Sequence, residues 1–375
     1  MIFGEMCTRH WPPQGFDIDG LYETQGLTGS ESGFFNIVRG LSERGHIVDS
    51  FAKTSKAHIG CPKLAGAQVY PLFETTIGND YDVYFVWNEP DYLRHVPKEP
   101  LRVVSQQLND FTYCQAGYDE FVDIYAMPSE VHRQFLIKNF PTMTASKSCV
   151  VPNSINLEFF QPDSPKRPLS VAYCSSPDRG LHRLLEMWPR IRAEVPGAEL
   201  RVYYRLWPWY ETVKGFKVED HIGRRARYIK EAFLRLGENG ENGVFLVGPV
   251  PPVLIAQELS KTMVLAYPCD PVSWTEGFSI SIMDACAARC MPIISDADAL
   301  PSIYGGVAEI IPGRPGKMID EWVRAVSAML RNDDVRNTAT AKAMNFSKDF
   351  SRQSISARWE AMFEHGISRK RAAAV

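Results

Sequence analysis

The sequence of 375 residues holds little that would take it across a membrane, into a disulfide framework or onto a nucleic acid. Its longest apolar runs, such as Met263 to Tyr267, fall far short of the ~18 residues a spanning helix needs. The opening Met1-Ile2-Phe3-Gly4-Glu5 lacks the charged-then-apolar layout of a secretory signal, so a cytoplasmic chain with at most peripheral membrane contact is expected. None of the eight cysteines pairs as C-x-x-C, and their scatter favours reduced, buried thiols over a disulfide or zinc framework. The eight histidines never fall in a spacing such as H-E-x-x-H, and no metal site is expected. With a net charge of −3 and no basic stripe interleaved with aromatics, nucleic-acid binding has little support. Gly26 to Gly33 does not fit G-x-G-x-x-G, which counts against a dinucleotide-dependent oxidoreductase.

What is present is apolar content of 45% in a chain long enough for two domains of ~150 residues each. Charge divides unevenly: residues 1–160 carry 12 basic against 19 acidic groups, leaving 29 against 25 beyond. An anionic ligand meets a friendlier field in the later part. In the first part short apolar runs (Met1–Cys7, Ile47–Phe51, Gln68–Leu72, Val83–Val86, Leu101–Val104, Ile124–Met127) accompany a helix over Ser32–Arg44 that follows a Gly/Pro-rich loop from Trp11 to Ser30. The breaker-rich stretch Gln161–Pro168 reads as a linker. Alternation then restarts, with strands at Leu169–Tyr173, Glu199–Tyr204, Val244–Val247, Met263–Tyr267 and Met291–Ser295, and helices at 180–195, 221–237, 252–261 and 277–288. Strands alternating with helices predict an α/β chain with parallel sheets covered on both faces. The expected domains are 1–160, 161–345, and a final segment 346–375 in which a surface helix over Phe346–His365, crossing back toward the first domain, precedes a mobile basic tail at Ser368–Arg371.

The richest segment for chemistry is Pro268–Ala285. A strand ends in a polar loop, Glu276 precedes Gly277, and small residues open a helix. Backbone N–H groups of Gly277, Phe278 and Ser279 at such a start suit a phosphate, which the helix dipole also favours. Glu276 and Asp284 stand eight apart, about two helical turns, and can share a face; carboxylates accept hydrogen bonds from sugar or ribose hydroxyls. From spacing alone, a helix-start acid at Glu276 and a solvated acid at Asp284 explain the pattern as well. The run Arg224-Arg225-Ala226-Arg227 with Lys230 reads as a solvated face, and Trp207-Pro208-Trp209-Tyr210 as a packed loop.

This segment resembles the E-x7-E motif of retaining glycosyltransferases of family 4, and Ala285-Cys286-Ala287-Ala288-Arg289-Cys290-Met291-Pro292-Ile293-Ile294 matches their E-A-x-A-x-G-x-P-V-V pattern. Val150 to Pro162 resembles their V-I-P-N-G-V-D-x-x-x-F-x-P signature, Pro128-Ser129-Glu130 their P-S-E segment, and Gly29-Ser30-Glu31 with Arg39–His46 their glycine loop and following helix. The resemblance runs in order from about residue 28 to 312.

It implies the GT-B fold, two doubly wound Rossmann-like domains facing across a cleft. It also implies metal-independent, retaining transfer of a hexosyl unit from a UDP- or GDP-linked sugar to a carbohydrate or glycolipid hydroxyl, in the making of cell-surface polysaccharide or glycolipid. No cofactor is implied beyond that donor. By the same resemblance Glu276 contacts the sugar, Gly277, Phe278 and Ser279 hold the diphosphate, and Asp284 binds the ribose one methylene short of the usual Glu. Arg179 stands at the phosphate lysine, while Ser175 and Ser176 replace the family's first basic residue, a charge Arg205 could restore. Asn109, within Gln106–Phe111, falls where relatives often show a His-Asp pair and where the resemblance puts a backbone carbonyl near the developing oxocarbenium ion; a polar strand end with Asn109 and Asp110 capping a turn explains the stretch as well. Gly29, Ser30 and Glu31 bring backbone near the donor phosphate or acceptor. A non-catalytic GT-B scaffold is the rival reading, since the departures at Asp284 and Ser175/Ser176 lie in the donor site.

Overall fold

The computed structural model describes residues 2–4, 15–72, 81–109, 120–140, 143–216 and 221–373. Cys7, the loop from Trp11 to Gln14, Asp110, Phe111 and Cys114 lie outside the described residues. The chain divides into two compact units. One takes the residues up to Leu21, Leu27–Asn156 and those from Asp349 onward; the other takes Tyr22–Gly26 and Leu157–Lys348.

The first unit holds β1 (Ile2–Gly4), α1 (Gly29–Glu43), β2 (Asp49–Ala52), β3 (His58–Cys61), β4 (Ala67–Pro71), β5 (Val83–Trp87), β6 (Leu101–Ser105), β7 (Ile124–Met127), α2 (Glu130–Asn139) and β8 (Ser148–Val150). Its sheet runs β3-β4-β2-β1-β5-β6-β7-β8, parallel except where β3 meets β4. β6 and β7 are buried along their whole length, the burial that unbroken apolar runs under two covering layers produce. The helix expected from Ser32 begins three residues earlier. Thr28 caps it, its hydroxyl accepting from the Glu31 N–H while the Glu31 carboxylate accepts from the Thr28 N–H at 2.6 Å. Gly29, Ser30 and Glu31 therefore form a first helical turn, not a loop, and the buried Glu31 carboxylate is committed to a capping box.

The second unit holds β9 (Ser170–Tyr173), α3 (Leu181–Glu194), β10 (Glu199–Val202), α4 (Leu206–Val213), α5 (His221–Leu236), β11 (Val244–Leu246), α6 (Pro252–Ser260), β12 (Val264–Tyr267), α7 (Ile280–Ala287), β13 (Met291–Ser295), α8 (Leu300–Tyr304), β14 (Glu309–Ile311), α9 (Ile319–Arg331) and α10 (Asp333–Ser347). Its sheet runs β11-β10-β9-β12-β13-β14, every neighbour parallel. Numbered within the unit this is the order 3-2-1-4-5-6, and it reverses between β9 and β12, where sheets of this class bind ligands beyond the strand ends. α3 covers the sheet with Leu181, Leu184, Leu185, Trp188 and Ile191, and α9 with Trp322, Val323, Val326 and Leu330, each fully buried side chain contributing about 1.5–3 kcal/mol.

α11 (Arg352–Ala373) returns to the first unit as one 22-residue helix. It buries Ile355, Trp359 and Phe363, and a side chain at Gly366 would strike Leu101 on β6. The basic run Ser368–Arg371 is its last turn rather than a mobile tail: the Lys370 ammonium donates to the Pro100 carbonyl at 2.8 Å and pairs with Asp123. Among the described residues no helix is long and apolar enough to cross a membrane.

Candidate active site

Two loops meet at the switch point of the second sheet. After β9 the chain makes a short helical turn, Pro177–Arg179, and enters α3 through Gly180. Gly180 has φ +126°, and a Cβ there would lie 2.1 Å from the Pro268 carbonyl oxygen, so only glycine lets the two loops touch. After β12 the loop from Pro268 leads to Ser279, the N-cap of α7. The helix expected from Gly277 thus begins at Ile280, leaving Glu276, Gly277 and Phe278 in the loop before it. Glu276 and Asp284 do not share a helix face, because only Asp284 is on the helix.

Glu276 is 3% exposed. Its Oε1 accepts from the Tyr267 hydroxyl at 2.9 Å and pairs with Arg179 Nη1, which also donates to the Thr275 carbonyl at 2.9 Å. The Tyr267 hydroxyl lies 3.1 Å from Ser175 Oγ. Burial pushes the Glu276 carboxyl above the usual carboxylate range, although Arg179 and Tyr267 oppose the shift. Burial also works against the Arg179 charge, but the carboxylate beside it, with Tyr267 and Asp178, holds its pKa above the ordinary arginine value. Tyr267, raised by burial and by Glu276, keeps its proton and its role as donor. A buried acid, a guanidinium and a phenol thus share one hydrogen-bonded group at the ends of β9 and β12.

Asp284 sits half-buried one turn into α7, and burial alone pushes its carboxyl up to about 7. An acid whose folded pKa is raised contributes its full stability below the unfolded carboxylate range and loses it as pH rises through about 7. Asp284→Asn should therefore match the wild type in urea unfolding near pH 4 and exceed it at pH 8, by about 1–3 kcal/mol after solvent screening. Equal stability of the two proteins at pH 8 would contradict this.

Residues to which the sequence assigned no part in the site support the two loops. Arg225, read as part of a solvated basic face, points inward from α5: its Nη1 donates to the Asp178 carbonyl at 2.7 Å and its Nη2 to the Asp270 carbonyl, tying the loops together. The Asp270 carboxylate takes Arg183 Nε at 2.8 Å, with His182 at 3.8 Å, and these partners hold it well below the usual range. Asp298 grips the backbone of Thr275 and Glu276. Arg225 could have been distinguished from its neighbours only by helical phase, since it shares the α5 face with buried Ile229 and Ala232.

Arg205 is exposed at the end of β10, as the N-cap of α4. Trp207–Tyr210 belong to that helix, and Trp207 packs edge-on to Phe233. In the first unit Asn109 follows β6, half-buried, beside Gln107 and Leu108, whose N–H groups donate to Asn88 Oδ1 at 2.7 and 3.2 Å. Cys286 and Cys290 are buried free thiols. Among the described residues no group of three or more His, Cys, Asp or Glu could hold a metal ion.

No protein-family model matches the chain, and no curated protein matches it. Solved structures do. Sucrose-phosphate synthase from Thermosynechococcus elongatus superposes with a TM-score of 0.64 at 14% identity, over 89% of this chain and 92% of that one. AviGT4, a glycosyltransferase involved in avilamycin A biosynthesis, gives 0.61 at 15% identity, over 92% and 91%. The pneumococcal O-GlcNAc transferase GtfA, solved in complex with UDP and GlcNAc, gives 0.55 at 15% identity, over 76% and 57%. These likenesses establish the fold as GT-B.

Proposed function

We propose that the protein is a retaining, metal-independent glycosyltransferase of the family 4 type, moving a hexosyl unit from a UDP- or GDP-linked sugar to a carbohydrate or glycolipid hydroxyl. One observation carries the reading. A buried carboxylate and a guanidinium, Glu276 and Arg179, are held together where the strand order reverses, just ahead of the α7 N-terminus. The fold's presence in sucrose-phosphate synthase and in AviGT4 supports it, and the UDP held by GtfA supports the uridine donor.

In this reading Glu276 accepts hydrogen bonds from hydroxyls of the transferred sugar. Backbone N–H groups from Gly277 to Ser279, backed by the positive end of α7, receive the diphosphate. Arg179 turns part of its fork from Glu276 to a phosphate oxygen, with Arg205 as the second cation. Asp284 takes the ribose hydroxyls. The same reading draws from the first unit the backbone of Gly29 and Ser30, with Glu31 beside them in its capping box, and the backbone carbonyl at Asn109. The acceptor oxygen attacks the anomeric carbon from the face the diphosphate leaves. The carbon–oxygen bond to phosphate breaks as the new glycosidic bond forms, and the acceptor's proton passes to the departing phosphate oxygen.

The test is turnover of a panel of UDP- and GDP-linked α-hexoses with the product anomer read by proton NMR. An α product is expected. A β product overturns retention, and no turnover of any donor favours the non-catalytic scaffold.

A further inference from the structure

The end of β13 and the segment that follows it hold the loop from Cys269 to Ser279. Ser295 Oγ donates to the Cys269 carbonyl at 2.7 Å, and the Tyr304 hydroxyl donates to the Ser279 carbonyl at 2.7 Å, which secures the two ends. Between them, Asp298 Oδ2 accepts from the Thr275 N–H at 2.7 Å and from the Glu276 N–H at 2.9 Å, and the Ala299 N–H donates to the Glu276 carbonyl at 3.1 Å. Both backbone groups of Glu276 are therefore held by two consecutive residues. Asp298 does this at φ +48°, a left-handed conformation that glycine adopts freely and that aspartate enters more readily than most residues with a side chain. Such a conformation persists where the surroundings hold it, and here three hydrogen bonds to Thr275 and Glu276 do so. The side chain of Glu276 is fixed at Oε1 by Arg179 and Tyr267, so in the glycosyl-transfer reading Oε2 is the oxygen that meets the sugar.

We infer that Asp298 is a positioning residue, setting the direction in which Glu276 presents its free oxygen to the donor's sugar; the inference rests on the glycosyl-transfer reading. Asp298 touches no substrate. It acts by clipping two N–H groups with one oxygen, so that the Glu276 carboxylate needs no reorganisation as the sugar flattens toward its transition state.

Asp298→Ala, Asp298→Gly and Asp298→Asn separate the clip from a merely structural role. Two readouts are needed: amide exchange at Thr275 and Glu276 with no donor present, and kcat and KM for donor turnover. In the Ala and Gly variants exchange at both amides should rise about tenfold or more. Their kcat should fall about ten- to a hundredfold, while the Kd for UDP or GDP stays within about threefold. Asn, whose side-chain oxygen can accept both N–H groups, should restore exchange protection and most of kcat. Gly is the decisive variant, because it adopts the left-handed backbone freely: a structural position would be satisfied by it, a positioning one would not. A Gly variant with wild-type kcat, or Ala and Gly variants with unchanged exchange, overturns the inference. A wild type that turns over no donor overturns the transfer reading, and Asp298's role toward a donor with it; the exchange data, which need no donor, still report whether the clip exists.

Discussion

Replacing Arg179 with alanine should destabilise the protein by about 3 kcal/mol, the low end of what breaking a buried ion pair does, because the guanidinium keeps 30% of its side-chain surface exposed while Glu276 keeps 3%. The loss comes from the partner left behind: a carboxylate under the surface with no opposite charge. Two corollaries separate this from lost packing. The double variant Arg179→Ala with Glu276→Gln should recover most of the stability, since a neutral amide needs no counter-charge. The single variant's deficit should also shrink toward pH 5, because an unpaired buried Glu276 takes up its proton at higher pH than the paired one. Urea unfolding of the three variants at pH 5 and pH 8 reads all of this. A deficit below about 1 kcal/mol at pH 8 would show the pair to be as weakly coupled as a surface ion pair.

Glu276→Gln should lower kcat/KM for donor turnover by about a hundred- to a thousandfold while leaving the folded state intact. Glutamine keeps the shape and one acceptor oxygen, but it loses the charge that strengthens hydrogen bonds to sugar hydroxyls as the anomeric carbon turns positive. Both kcat and kcat/KM should fall together, the pattern of an interaction made mainly in the transition state. If only KM rises, Glu276 is a ground-state sugar contact. If donor turnover is unchanged, the catalytic assignment of this loop is wrong.

Much of the fold was legible because parallel strands buried on both faces write themselves as apolar runs. Ser170–Tyr173, Val264–Tyr267 and Met291–Ser295 all fall where the pattern put them. β14, α9 and α10 were missed although α9 carries a clear signal, Trp322, Val323, Val326 and Leu330 at helical spacing. The start of α7 misled for a non-local reason. Gly277-Phe278-Ser279 reads as a first turn, but Asp298, more than twenty residues on, holds the Thr275 and Glu276 amides and keeps the chain out of the helix until Ile280. The capping box at Thr28-Gly29-Ser30-Glu31 was in plain view as a T-x-x-E pattern and explains Glu31 without a ligand. At the site, residue types marked Glu276 and Arg179, but their contact joins positions 97 apart, and the inward turn of Arg225 depends on loops brought to α5 by the sheet. Such partners exist only once β9 and β12 lie side by side.

The most direct measurement is thermal unfolding of the purified chain with UDP, GDP, ADP and NAD added separately at millimolar concentration. A donor site of the kind proposed should raise the midpoint with UDP or GDP, a ligand at 100 times its Kd adding about 2.7 kcal/mol of stability. A rise with NAD alone, or with none of the four, would contradict a nucleotide-sugar site at the ends of β9 and β12.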